Sequence, residues 1–210
     1  MINVLIVDDH EIVRKGLIQV LASDRGIAVT GEADDGNDAL EKIRNYDYDV
    51  VILDISLPGR SGLDILRQIK QEKPDLPVLI LSIYSEAQYA LSAIKAGAYG
   101  YLTKDVAKYE LIEAIRSLAS GRKYITKSLA ARLANAFDMD NKGLPHELLS
   151  DREFQVMLMI ATGKSNRDSA GELFLSQNTI STYRQRILEK MNMSSNADLI
   201  HYAIKHKLID

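Results

Sequence analysis

Asp8, Asp9, Asp54, Ser82 and Lys104 each stand at the end of a short apolar run, and together they offer three carboxylates, a hydroxyl and an ammonium. Asp8 and Asp9 follow Ile2-Asn3-Val4-Leu5-Ile6-Val7, and Asp54 follows Val50-Val51-Ile52-Leu53. Ser82 closes Val78-Leu79-Ile80-Leu81, and Lys104 closes Tyr99-Gly100-Tyr101-Leu102-Thr103. Carboxylates a few ångströms apart repel one another and gain protons unless a cation sits among them. Oxygen donors without cysteine or a histidine cluster suit a hard divalent cation such as Mg2+, which among carboxylates normally works on phosphate. A carboxylate can also be the nucleophile and carry the phosphoryl group itself. Lys104 would then pair with phosphoryl oxygens, and the Ser82 hydroxyl would hydrogen-bond another. Such chemistry is mostly positioning and charge neutralisation. Taken singly, a carboxylate after a strand is usually solvated and a lysine there is usually a surface residue. A shared edge is what gives the set its meaning.

That edge follows from the elements. Continuous apolar runs of this kind read as strands buried on both faces, the habit of parallel sheets. Strands are expected near 2–7, 27–33, 50–54, 78–82 and 99–103, alternating with helices near 11–22, 36–45, 62–73, 85–96 and 106–120. Alternation with short turns implies right-handed crossovers and an α/β fold, a five-stranded parallel sheet doubly wound by helices. In such a sheet the carboxyl ends of the strands share one edge, and ligands bind there. Ser61 is a candidate N-cap for the third helix and Gly97 a candidate C-cap for the fourth.

Val7-Asp8-Asp9-His10, Leu53-Asp54-Ile55-Ser56-Leu57-Pro58-Gly59 and Leu102-Thr103-Lys104-Asp105 resemble the signature of a two-component receiver domain, spanning residues 1–121. The resemblance implies a flavodoxin-like fold with Asp54 as phosphoacceptor. It implies Mg2+ held by Asp9, Asp54 and the backbone carbonyl of Ser56, with Asp8 acting partly through water. It gives Ser82 and Lys104 the phosphoryl group. Tyr101 stands where the family has an aromatic switch that turns inward on phosphorylation; by itself it reads as a half-buried strand tyrosine.

The 210 residues allow one or two domains with cores of their own. Without cysteine there is no disulfide framework, thiol nucleophile or zinc thiolate site. No apolar stretch approaches bilayer length and the N-terminus runs straight into a strand, so a soluble cytoplasmic protein with no membrane partner is expected. The net charge of −3 is unevenly spread: residues 1–121 hold 13 Lys+Arg against 19 Asp+Glu, whereas residues 148–210 hold 8 against 7. The first part is acidic, as its site requires. The second is only mildly basic, a weak electrostatic argument for nucleic acid.

Beyond Gly121 a short helix is expected near 127–137, carrying Leu129, Leu133 and Phe137, and Asp138-Met139-Asp140-Asn141-Lys142-Gly143-Leu144-Pro145 reads as linker. Residues 122–147 therefore join two domains, the second being 148–210, a small all-α domain of four helices. Ser150-Asp151-Arg152-Glu153 is a capping box opening a helix that stops at Gly163. A short helix near 166–173, a turn at Leu175-Ser176 and a longer helix to about Met191 follow, and Ser195 caps a fourth. Helix, tight turn and longer helix is the helix-turn-helix arrangement. In the longer helix Ile180, Ile187, Leu188 and Met191 form the apolar stripe. Ser181, Thr182, Arg184, Gln185 and Arg186 lie largely off it, and by spacing alone such a face is more often merely solvated.

Residues 149–209 resemble the LuxR-type DNA-binding domain, through Leu149-Ser150-Asp151-Arg152-Glu153 and Leu175-Ser176-Gln177-Asn178-Thr179-Ile180-Ser181-Thr182-Tyr183. The whole chain thus resembles a response regulator of the NarL/FixJ type. The resemblance implies base-edge contacts from Ser181, Thr182 and Gln185, with Asn178, Thr179, Tyr183, Arg184 and Lys190 holding or facing phosphates. Gln can read adenine, whereas Ser and Thr discriminate weakly. Three positions depart from the family pattern: Ser169 where a large aliphatic residue is usual, Gly171 where a helix former is usual, and Ser181 where a lysine is frequent. A buried serine needs a hydrogen-bond partner, and glycine within a helix costs about 1 kcal/mol relative to alanine.

The expected function is a phosphorylation-activated, DNA-binding transcriptional regulator. A sensor histidine kinase or a small phosphodonor loads Asp54, the face formed by the fourth helix and fifth strand repacks, and a homodimer reads paired half-sites of double-stranded promoter DNA. The departures motivate an alternative, a phospho-responsive protein-interaction module with impaired DNA binding. No enzyme is expected beyond the receiver's own phosphoryl transfer and slow dephosphorylation. A phosphohydrolase of the haloacid-dehalogenase type would need an acid/base two residues after Asp54, where Ser56 stands. His10, His146, His201 and His206 are read as structural or solvent-facing.

Overall fold

The computed structural model describes residues 1–138 and 144–209. The chain divides into two compact units, Met1–Ala136 and Phe137–Asp210. In the first, β1 (Ile2–Val7), β2 (Ile27–Ala33), β3 (Val50–Leu53), β4 (Val78–Ser82) and β5 (Gly100–Thr103) form one parallel sheet in the order β2-β1-β3-β4-β5. Helices α1 (Glu11–Leu21), α2 (Gly36–Asn45), α3 (Gly62–Glu72), α4 (Glu86–Lys95) and α5 (Lys108–Ala119) alternate with the strands. Every residue of β3 and β4 is buried, as expected of strands covered by helices on both faces. On one face Val4, Ile6, Ile52, Leu79 and Leu81 pack with Leu111, Ile115 and Leu118 of α5.

The helix ends follow local chemistry. Ser61 Oγ accepts from the Leu63 amide at the start of α3. Gly97, at φ +100, lets the Ala98 amide reach the Ala93 carbonyl at 2.9 Å and close α4. Several element ends differ from the sequence reading by a residue or two, and two of them have a visible cause. Tyr99 lies outside β5 and instead receives the Tyr124 amide on its carbonyl at 2.8 Å. Helix α5 begins at Lys108 because Ala107 is extended, at φ −66 and ψ 143. The expected helix after Gly121 is α6 (Lys127–Asp138), with Thr126 Oγ1 accepting from the Leu129 amide at 3.1 Å. Of the expected linker, residues 139–143 lie outside the described residues, as does the side chain of Phe137.

The second unit holds a 3-10 turn (Pro145–Leu148), which the sequence reading had left in the linker, and α7 (Asp151–Ala161), α8 (Asn166–Glu172), α9 (Gln177–Met191) and α10 (Asn196–Lys205). The Ser150–Glu153 capping box is formed: the Ser150 amide donates to Glu153 Oε2 at 2.8 Å. His146 Nδ1 lies 2.7 Å from Tyr202 Oη, tying the 3-10 turn to α10. Among the described residues no helix is long and apolar enough to cross a membrane.

Candidate functional site

Strand register assembles the first site. Val7 pairs with Leu53, and Ser82 pairs with Thr103. One rung further, the Asp54 amide donates to the Val7 carbonyl at 2.9 Å, the Asp8 amide to that of Ala33 at 3.1 Å, and the Lys104 amide to that of Ser82 at 2.8 Å. Asp8, Asp54 and Lys104 therefore leave the sheet at one edge, where strand order reverses about β1 and open α/β sheets bind ligands. Lys104 Nζ lies 2.6 Å from Asp8 Oδ2 and 2.9 Å from Asp54 Oδ2. One oxygen each of Asp8, Asp9 and Asp54, together with a ring nitrogen of His10, all lie within 4.8 Å of one another.

Asp8 and Asp54 are each only 2 % exposed. Burial pushes the Asp54 carboxyl above the usual carboxylate range, opposed by Lys104 and reinforced by Asp8. Burial works against the charge of Lys104, but Asp54 and Asp8 outweigh it and hold the ammonium above its ordinary pKa. Asp54 Oδ1 is buried with no hydrogen-bond partner among the described residues. Three carboxylates against one ammonium leave a formal charge of −2 in a hard oxygen donor set. Those residues fit a divalent cation of the Mg2+ kind, which would satisfy the orphaned oxygen and cancel the charge.

Ser82 is fully buried beside this cluster, and its Oγ accepts from the Tyr84 amide at 3.3 Å. Tyr101 Oη donates to the Tyr84 carbonyl at 2.7 Å. The Tyr101 ring is fully buried, not half-buried as the strand pattern alone suggested. Burial pushes its phenol far above the ordinary value, against a hydrogen bond with Ser82. Ser56 is half-buried, with an Oγ that has no partner among the described residues.

Two supporting residues were not singled out from sequence. Arg14 Nη1 donates to the Asp8 carbonyl at 2.7 Å. The Gly62 amide donates to the Ile55 carbonyl at 2.8 Å, and a Cβ on Gly62 would stand 1.9 Å from the Asp54 carbonyl oxygen. Only glycine lets α3 start that close to the loop carrying Asp54.

In the second unit α9 is capped by Ser176, whose Oγ accepts from the Thr179 amide at 3.1 Å, and ends at Asn192 in the left-handed region. Ile180, Ile187 and Met191 face inward. Asn178, Ser181, Thr182 and Gln185 are exposed, while Thr179, Tyr183 and Arg184 are half-buried. Ser181 Oγ and Thr182 Oγ1 bond back at 3.0 Å to the carbonyls of Gln177 and Asn178. Two cations of this helix have partners inside the unit: Arg184 Nε donates to Asn196 Oδ1 at 2.7 Å, and Lys190 Nζ lies 2.6 Å from Glu153 Oε2. Ser169 on α8 is 1 % exposed and its Oγ has no partner among the described residues. A Cβ on Gly171 would meet nothing within 4 Å.

The profile of the response regulator receiver domain matches residues 4–116. The chain belongs to the response regulators. The profile of bacterial regulatory proteins of the luxR family matches residues 147–203, and the pair makes this a response regulator of the NarL/FixJ type. It is 40 % identical to the response regulator UvrY of Escherichia coli strain K12 over 209 residues, covering 99 % of this chain and 96 % of UvrY. It is 37 % identical over 211 residues to the response regulator GacA of Pseudomonas aeruginosa, covering 100 % and 99 %. Among solved structures, the response regulator ChrA of a heme-sensing two-component system is 33 % identical with a TM-score of 0.53, covering 99 % and 98 %. RcsB of Salmonella enterica serovar Typhimurium, bound to promoter rprA with the phosphomimetic BeF3−, is 25 % identical with a TM-score of 0.65, covering 96 % and 98 %.

Proposed function

We propose that this response regulator takes a phosphoryl group on Asp54 and converts it into promoter binding by α9. The observation that carries the reading is Lys104 bridging Asp8 and Asp54 while Asp54 Oδ1 stays buried and unpaired. In transfer from a phosphohistidine of a sensor kinase, an Asp54 oxygen forms the new O–P bond. The P–N bond breaks with its electron pair going to the imidazole. Asp9, Asp54 and the Ser56 carbonyl, with Asp8 through water, would hold Mg2+, which offsets charge on the phosphoryl oxygens. Lys104 then pairs with a phosphoryl oxygen, and the Ser82 hydroxyl donates a hydrogen bond to another. Tyr101, buried with its phenol on the Tyr84 carbonyl, would be the side chain whose position the phosphoryl group biases.

On DNA, Ser181, Thr182 and Gln185 would face base edges, and Asn178, Thr179, Tyr183, Arg184 and Lys190 would hold or face phosphates. Arg184 and Lys190 would first exchange Asn196 and Glu153 for phosphate. The solved RcsB complex with promoter DNA and a phosphomimetic supports this reading; a homodimer on paired half-sites would complete it. Intact mass after incubation with phosphoramidate and Mg2+ tests the first half: wild type gains one phosphoryl, and Asp54→Asn gains none. Fluorescence anisotropy on promoter fragments, with and without beryllofluoride, tests the second, with salt-dependent, sequence-selective binding as the expected outcome.

One observation favours a second reading, a phospho-responsive protein-interaction module with weak DNA binding. The unpaired, buried Ser169 hydroxyl lies in α8, the helix that packs on α9. Loss of sequence selectivity in the anisotropy experiment would select it.

A further inference from the structure

We propose that Ser181 meets its base as a hydrogen-bond acceptor only and so selects adenine or cytosine, the bases that present an exocyclic amino group in the major groove. Asn166 of α8 is the positioning residue that holds it in that state. The inference rests on the reading of α9 as the helix that faces base edges.

The Ser181 hydroxyl is held from two sides. Its Oγ lies 3.0 Å from the Gln177 carbonyl, one turn earlier on α9. A carbonyl only accepts, so the Ser181 proton lies in that bond and points back along the helix. Asn166 Nδ2 lies 3.2 Å from the same Oγ. With its proton already given, Ser181 can only accept from Asn166, which fixes the carboxamide with its N–H side toward α9. A hydroxyl oxygen has two lone pairs. One takes the Asn166 N–H, and the other remains on an exposed residue.

The bond to Asn166 joins two elements that pack together. Both side chains are exposed, so water would serve either one nearly as well and the bond adds little to folding. Its effect falls on the rotor: Ser181 cannot turn its proton outward without giving up Gln177 and disturbing Asn166. Thr182 makes the same bond back to Asn178, at 3.0 Å, but none to α8 among the described residues, so its hydroxyl stays free to turn. A hydroxyl that turns suits donors and acceptors alike. One held as an acceptor suits the amino groups on adenine C6 and cytosine C4, and opposes guanine O6 and N7 and thymine O4. A lysine at this position would be a donor and would choose guanine. The Ser181–Asn166 pair inverts that preference.

Fluorescence anisotropy of the full chain with beryllofluoride and Mg2+ tests this. The probes are the tightest promoter fragment and duplexes in which each of its base pairs is changed in turn. Wild type, Ser181→Ala and Asn166→Ala are compared after circular dichroism has shown equal helix content. The base pair at which Ser181→Ala flattens the preference is the one Ser181 reads. There wild type is expected to favour adenine or cytosine on the facing strand over guanine or thymine by about tenfold. An analogue lacking the exocyclic amino group should lose the same factor. Asn166→Ala should cut the preference several-fold at that pair and leave the others unchanged, which a merely structural role would not do. A preference for guanine or thymine there, no pair flattened by Ser181→Ala, or a preference intact in Asn166→Ala overturns the proposal while leaving α9 as the reading helix. Wild type without preference at any pair removes the parent reading as well.

Discussion

Thr126 Oγ1 donates to Glu86 Oε1 at 2.7 Å. Ser128 Oγ hydrogen-bonds the other oxygen of the same carboxylate. Glu86 opens α4, and Thr126 caps α6, so one carboxylate serves the N-termini of two helices, where the helix dipoles favour negative charge. Glu86 lies two residues beyond Tyr84, whose carbonyl receives the Tyr101 phenol and whose amide bonds Ser82. Helix α6 is thus fastened to the segment that carries Tyr84 and touches Ser82 and Tyr101.

Glu86→Ala should loosen that fastening. The first turn of α6 is expected to lose about 1 kcal/mol of local stability. Hydrogen exchange should quicken at the amides following Thr126, while the sheet stays protected. Unchanged exchange there means the carboxylate contributes nothing to α6.

Asp54→Asn should stabilise the metal-free protein at neutral pH. Burial holds the folded Asp54 pKa above its ordinary 3.8. The folded state therefore binds this proton more tightly than the unfolded chain, and stability falls as pH rises from 3.8 through the folded value. Asparagine removes that loss, and Lys104 keeps Asp8 as a partner. The expected gain at pH 7 is on the order of 1 kcal/mol, shrinking as the pH approaches 4. Thermal melts in EDTA across this range check it, and a variant no more stable at pH 7 contradicts it.

Lys104→Met should do the reverse. It leaves Asp8 and Asp54 buried without their shared cation, a loss of about 3 kcal/mol for the metal-free fold. Mg2+ should restore more stability to this variant than to wild type, because it meets an uncompensated cluster. Urea titrations with and without Mg2+ measure both effects.

Ser169→Ala and Gly171→Ala should each stabilise the second unit. The first removes a buried hydroxyl without a partner, whose burial costs about 1–3 kcal/mol. The second replaces a helix-interior glycine at a position where a methyl group has open space, worth about 1 kcal/mol. Calorimetry should show the transition of this unit rising by roughly 4–8 °C per kcal/mol. Affinity for promoter DNA should rise in parallel if the stability of α8 limits α9.

Runs such as Val50-Val51-Ile52-Leu53 admit little but a buried parallel strand, so the sheet, its alternation with helices and the edge carrying Asp8, Asp54 and Lys104 were legible in residue order. Ser61, Ser150 and Ser176 announced helix starts because capping is settled by neighbours within three residues. The Pro145–Leu148 turn was not legible, since short 3-10 turns carry no apolar period and this one is held by the distant Tyr202. The clearance that demands glycine at 62 was equally hidden, because it depends on how closely α3 approaches the Asp54 carbonyl.

Local pattern and residue chemistry, then, determined the sheet, the acidic edge and helix α9, since strand burial, capping and charge each act over a few residues. Only the tertiary structure decided which groups already have partners. Lys104 shared between two aspartates, the Tyr101 phenol on the Tyr84 carbonyl and Lys190 held by Glu153 are pairings between elements. Their distances are set by packing and register, which no stretch of chain encodes by itself.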